Sequence, residues 1–156
     1  MTTRKPVLFL DVDGVLIRYT RTEALPTPHV KEFLEWAVEH FECRWLTSWA
    51  KWGTMEDPHR NTLAGILGVS TDLLKKLDHT HPWSEDKTQA IDITEFDGEA
   101  HRLVRWLDDD RMNDERATLK RWGVPEMFIH TDCSKNPDRL KQVWDELKTL
   151  LKESGH

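Results

Sequence analysis

The chain has 156 residues, 38% hydrophobic and 32% charged, the size and balance of one globular domain with a full core rather than of a disordered chain. Its formal net charge of −6 argues against broad, nonspecific nucleic-acid binding, which needs a basic surface, but leaves room for a small basic site. No apolar run is long enough to span a bilayer, and the run behind the basic start stops at Asp11, too short for a secretory signal.

The first predicted element is the strand from Pro6 to Leu10, a continuous apolar run of the kind buried on both faces of a sheet. The segment from Leu16 to Pro26 is too short to fold as a separate cap. Thr27-Pro28 reads as an N-cap followed by proline at the first helical position. Val30, Phe33, Leu34, Ala37, Val38 and Phe41 continue at helical spacing. A second strand is expected over Cys43 to Thr47. Asp57-Pro58 then marks a helix start, with Gly68 as its stop. From Ser70 to Ala100 the pattern is weak, with Lys87 to Ile93 the one helical stretch. Leu103 to Leu107 is the third strand, Asn113 to Trp122 a helix, and Met127 to His130 the fourth strand. Leu140, Val143, Trp144, Leu147, Leu150 and Leu151 form one apolar stripe on a last helix.

Alternating strands and helices predict an α/β fold: a three-layer, Rossmann-like parallel sheet, one domain over residues 1–156. Cys43 and Cys133 form no metal or redox spacing, so two buried free thiols in a reducing, cytoplasmic setting are expected. The eight tryptophans should mostly be packing groups.

In such sheets ligands bind beyond the carboxyl ends of the strands. Asp11-Val12-Asp13-Gly14 follows the first strand, Thr47-Ser48-Trp49 the second, and Asp108, Asp109 and Asp110 the third. A lone aspartate there would be read as a helix cap. Carboxylates gathered at one sheet edge repel each other, and a divalent cation removes that penalty. An all-oxygen set suits Mg2+. His79 and His81 form a His-x-His pair without a third ligand at helical spacing and are read as a polar loop.

Phe9-Leu10-Asp11-Val12-Asp13-Gly14-Val15 resembles the first motif, hhhDxDG(T/V), of the haloacid dehalogenase (HAD) superfamily. Leu46-Thr47, Lys87 and Trp106-Leu107-Asp108-Asp109 resemble its second, third and fourth motifs, in the family's order. Leu46-Thr47-Ser48-Trp49 with Asn61, Leu63 and Leu67-Gly68 is further similar to a small subgroup named from domains of bacterial RNA-repair proteins. The chain departs from that subgroup at Asn136 to Leu140, where a Gly-Leu-Thr stretch is usual.

The resemblance implies a capless HAD-like phosphohydrolase with an aspartyl-phosphate intermediate. Asp11 would be the nucleophile, and Asp13 the acid that protonates the leaving oxygen and then activates water. Gly14 would allow the turn under the phosphate. Thr47, or Ser48 if the strand runs longer, would bind a phosphoryl oxygen, and Lys87 would balance the charge. The implied metal set is Asp11, Asp13 through its main-chain carbonyl, and Asp109 or Asp108.

Basic residues in the strand-end loops (Arg18, Arg21, Lys51, Arg111 and Lys135) would ring the site. Trp49 and Trp52 would be placed to stack on a base. The expected substrate is a nucleic-acid 3′- or 5′-phosphate end. The alternatives are a nucleotide or sugar phosphate, or a noncatalytic domain that keeps the phosphate-binding fold. Scattered surface lysines and packing tryptophans are the plainer account of the rim.

Overall fold

Residues alternate between the two faces of a strand, and the first strand, β1 (Val7–Leu10), has apolar groups on both. The computed structural model describes residues 4–96, 102–110 and 112–155. Two strands of three residues follow β1, β2 (Ile17–Tyr19) and β3 (Ala24–Pro26), paired antiparallel as a hairpin. Next come α1 (Val30–His40), β4 (Glu42–Trp45), α2 (Asp57–Leu67) and the one-turn α3 (Thr71–Leu74). Two 3-10 turns, Lys87–Ala90 and Ile93–Glu95, replace the expected helix from Lys87 to Ile93. The chain continues with β5 (Val104–Asp108), α4 (Asn113–Arg121), β6 (Phe128–His130) and α5 (Arg139–Glu153).

The main sheet is parallel, in the order β4-β1-β5-β6. Leu8 and Leu10 of β1 belong to a core with Phe33, Leu34 and Ala37 of α1, Leu63 and Leu67 of α2, and Val143 and Leu147 of α5. Val7 and Phe9 belong to a second core with Trp106 of β5, Leu119 of α4 and Ala90 and Ile91. The result is a mixed α/β arrangement with helices on both faces of a parallel sheet, compatible with a Rossmann-like fold. Among the described residues no helix is long and apolar enough to cross a membrane.

Two helix starts differ from the sequence reading. Thr27 does not cap α1. Its hydroxyl donates to the Val15 carbonyl at 2.8 Å, and its N–H donates to Leu16. Thr27 is thereby tied to the hairpin stem, and α1 starts at Val30 behind His29, which adopts φ 67°. At α2, Glu56 takes the cap position, and Asp57 and Pro58 lie inside the first turn, where proline loses no hydrogen bond. Gly68 closes α2 at φ 67°, as its position predicts.

The topology singles out one place for a ligand. From β1 the chain moves first to β4 on one side, and later returns to β5 on the other. The crevice at the carboxyl ends of β1 and β5 is therefore the switch point of the sheet, where open α/β folds bind their ligands.

Candidate active site

β1 and β5 run in register with Leu10 opposite Leu107, so Asp11 emerges beside Asp108. The Asp11 N–H donates to the Leu107 carbonyl at 3.1 Å, and its Oδ1 accepts from the Val12 N–H at 2.8 Å. Asp11, Asp108 and Asp109 each offer an oxygen, all within 4.8 Å of one another. This is the group of possible metal-binding side chains among the described residues. His79 and His81 are exposed and lie outside it.

Lys87 reaches this cluster. Asp86 makes that placement possible by accepting from the Thr88 N–H at 2.8 Å and its hydroxyl at 2.5 Å, which starts the 3-10 turn. The Lys87 ammonium then lies 2.6 Å from Asp108 Oδ2 and 3.3 Å from Asp11 Oδ2. Lys87, Asp11 and Asp108 are all buried. Burial alone would lower the pKa of Lys87, but Asp11 and Asp108 outweigh it and hold the ammonium above its ordinary range.

One lysine does not neutralise three acids. Burial, reinforced by the Asp108 charge, pushes Asp11 up to about 8, against the opposing pull of Lys87 and a hydrogen bond from the Thr47 hydroxyl. Burial and the charges of Asp108 and Asp132 push Asp109 up to about 7. The carboxylates are thus pressed together at a cost in charge that a bound cation would offset.

Gly14 explains how Asp109 fits. At φ 76°, a Cβ on residue 14 would stand 2.2 Å from Asp109 Oδ2. Only glycine leaves room for that carboxylate while adopting this conformation without strain. The Gly14 carbonyl also accepts from the Cys133 N–H at 2.7 Å, tying the first loop to the last. Cys133 and Cys43 are both buried free thiols.

Thr47 and Ser48 separate clearly. Thr47 is fully buried, beside Asp11, and starts a 3-10 turn over Ser48–Ala50 by accepting from the Trp49 N–H at 3.3 Å. Ser48 is exposed. Asp13 stands apart from the three clustered carboxylates. Its Oδ1 accepts from the Tyr19 hydroxyl at 2.5 Å and from the Trp49 indole N–H at 3.1 Å. Burial first, then the hydrogen bond to Asp13 and the nearby acids, raise the Tyr19 pKa, so the phenol stays protonated and donates.

The two loop tryptophans differ. Trp49 is half-buried, packs against the core and spends its N–H on Asp13. Trp52 is 80% exposed. Lys51 and Lys87 both lie over the ring of Trp83, at 5.2 and 5.6 Å. The Trp83 main-chain N–H donates to the Lys51 carbonyl at 3.2 Å, and the two loops pass so closely that a Cβ on Gly53 would stand 2.5 Å from the Thr80 carbonyl. Of the other basic residues expected on the rim, Arg18 is half-buried, Arg21 and Lys135 are exposed, and Arg111 lies outside the described residues. A separate groove of about 670 Å³ between β6 and α5, lined by His130, Arg139 and Glu146, contains none of these site residues.

Sequence reasoning missed Tyr19 and Trp83. Tyr19 is the chain's one tyrosine and sits five residues beyond the turn expected at Gly14, but nothing in the local pattern points it back at Asp13. No protein-family model matches the chain, and no curated protein sequence matches it.

Proposed function

We propose that this chain is a Mg2+-dependent phosphohydrolase of HAD type, working through an aspartyl-phosphate on Asp11. The observation that carries the reading is the meeting of Asp11, Asp108, Asp109 and Lys87 at the switch point of the sheet, with the Thr47 hydroxyl beside Asp11. A structural ion pair would need one carboxylate for Lys87. Two further acids, held at raised pKa, call for more positive charge than the protein supplies.

Asp11, Asp108 and Asp109 would hold the cation, and their all-oxygen donor set suits Mg2+. Bound there, it would supply the positive charge that neutralises these acids and the oxygens of a phosphate.

The residues themselves divide the remaining work. An Asp11 oxygen attacks phosphorus as the bond to the ester oxygen breaks. The carboxylic acid of Asp13 gives its proton to that oxygen, so an alcohol leaves. Water then attacks the aspartyl-phosphate and passes a proton to the Asp13 carboxylate. The bond to Asp11 breaks, phosphate departs and both aspartates return to their starting forms. Lys87 balances Asp11 throughout, and Thr47 is placed to donate to a phosphoryl oxygen.

A nucleic-acid 3′- or 5′-phosphate end is the substrate we favour, because Trp52 presents an exposed indole on the loop that carries Thr47. A nucleotide or sugar phosphate is the second reading.

The test is phosphate release from aryl and oligonucleotide phosphates by the wild-type protein and by Asp11→Asn. The wild type should be active with Mg2+ and inactive with chelator. The variant should be inactive and folded, since the change is nearly isosteric. Release by Asp11→Asn at the wild-type rate would sink the assignment.

A further inference from the structure

The proposed acid, Asp13, is not a freely rotating side chain. Two donors from different parts of the chain converge on one of its oxygens. The Tyr19 hydroxyl comes from the β2–β3 hairpin, and the Trp49 indole N–H comes from the turn after β4. Both bonds end on Oδ1, at 2.5 and 3.1 Å. Neither donor has an acceptor role in this pair of bonds: an indole N–H only donates, and the phenol donates to a carboxylate.

We infer that Tyr19 and Trp49 are positioning residues that clamp Asp13 Oδ1 and so leave Oδ2 as the oxygen that carries the proton to the leaving group. The inference rests on the phosphohydrolase reading. The two hydrogen bonds fix the carboxyl plane, and an oxygen that already accepts two bonds is a poor place for a proton. Oδ2 therefore delivers the proton when the P–O bond of the ester breaks, and takes one from water in the second step. The same bonds engage the Asp13 side chain outside the group formed by Asp11, Asp108 and Asp109. Held this way, the group needs no reorientation at the moment of transfer.

The hairpin gains a role from this. It reaches the site through Tyr19, whose N–H is itself fixed by the Ser134 hydroxyl at 3.0 Å. Trp49 is held from the other side, with its own N–H on Thr47. The loop after β1, the loop after β4 and the loop after β6 are thereby coupled at Asp13. Trp49 thus serves the reaction by its N–H and not by its ring face.

Tyr19→Phe and Trp49→Phe each remove one donor and keep an aromatic ring. The comparison is kcat/KM for an alkyl phosphate, whose leaving oxygen needs a proton, against nitrophenyl phosphate, whose leaving group does not. Because kcat/KM covers only steps up to departure of that group, it isolates the protonation. Each variant should lose about tenfold or more on the alkyl ester, a fraction of what general acid catalysis supplies, with a much smaller loss on the aryl ester. The two changes together should lose more than either alone.

An NMR readout independent of turnover accompanies this. The indole N–H resonance absent from Trp49→Phe identifies Trp49, and it should move in Asp13→Ala. Equal losses on both esters, no loss on either, or an indole resonance unmoved in Asp13→Ala would overturn the inference. A wild-type protein inactive on both esters would instead remove the phosphohydrolase reading, and the inference with it.

Discussion

The ammonium of Lys87 lies 2.6 Å from Asp108 Oδ2, and both side chains are almost wholly shielded from water. Buried pairs of this kind are poor stabilisers but costly to break, because the group left behind has no counter-charge. Lys87→Met should therefore destabilise the metal-free protein by about 3–5 kcal/mol, read from urea denaturation. Added Mg2+ should recover part of the loss. A loss under about 1 kcal/mol, the range of exposed ion pairs, would mean that Lys87 is solvated instead.

The raised carboxyls make a pH prediction with a definite sign. Burial and crowding push Asp11 up to about 8 and Asp109 up to about 7, from an ordinary value of 3.8. The folded protein thus binds more protons than the unfolded chain in this window. Their contribution to stability is full below about pH 4 and is lost as pH rises through 7 to 8. Without metal, Asp11→Asn should melt higher than the wild type at pH 8, with the gap closing at pH 5. Mg2+ should raise the wild-type melting temperature most at pH 8. A gap that widens toward pH 5 would refute the charge-crowding account.

The exposure of Trp52 allows the substrate class to be tested without disturbing the core. Trp52→Ala should change stability by no more than about 0.5 kcal/mol, as for other surface positions. If a base stacks there, the preference for a phosphorylated oligonucleotide over the matching mononucleotide should fall by about 1–3 kcal/mol. Lys51→Ala should flatten the salt dependence of oligonucleotide turnover. Equal rates on oligonucleotide and mononucleotide in the wild type would point to the small-molecule reading.

The main sheet was legible because its strands are continuous apolar runs. Each observed strand lies within about two residues of its expected limits, the usual uncertainty at ends. α5 was the clearest element because its stripe is long and regular. The hairpin left no such trace: Ile17–Tyr19 and Ala24–Pro26 are too short for an alternation to register. Asp11, Thr47, Lys87, Asp108 and Asp109 could be named because each follows a strand or carries a motif. Tyr19 and Trp83 could not, because their contacts are made between loops distant in sequence. Thr27-Pro28 misled for a similar reason, its hydroxyl being taken by the Val15 carbonyl, a partner that only the folded chain provides.

The central pairing of β1 with β5 has a kinetic consequence. Asp11 and Asp108 come from strands far apart in sequence, and they become neighbours only when those two strands zip together. In the unfolded chain the acids are separate and hydrated, and their mutual repulsion does not exist. The repulsion therefore arises only as those strands pair, and so does any cation site made from them. A cation bound there would act on the native state more than on the barrier to reaching it. It should slow unfolding several-fold while leaving the refolding rate nearly unchanged, a difference that stopped-flow fluorescence of the buried tryptophans would resolve.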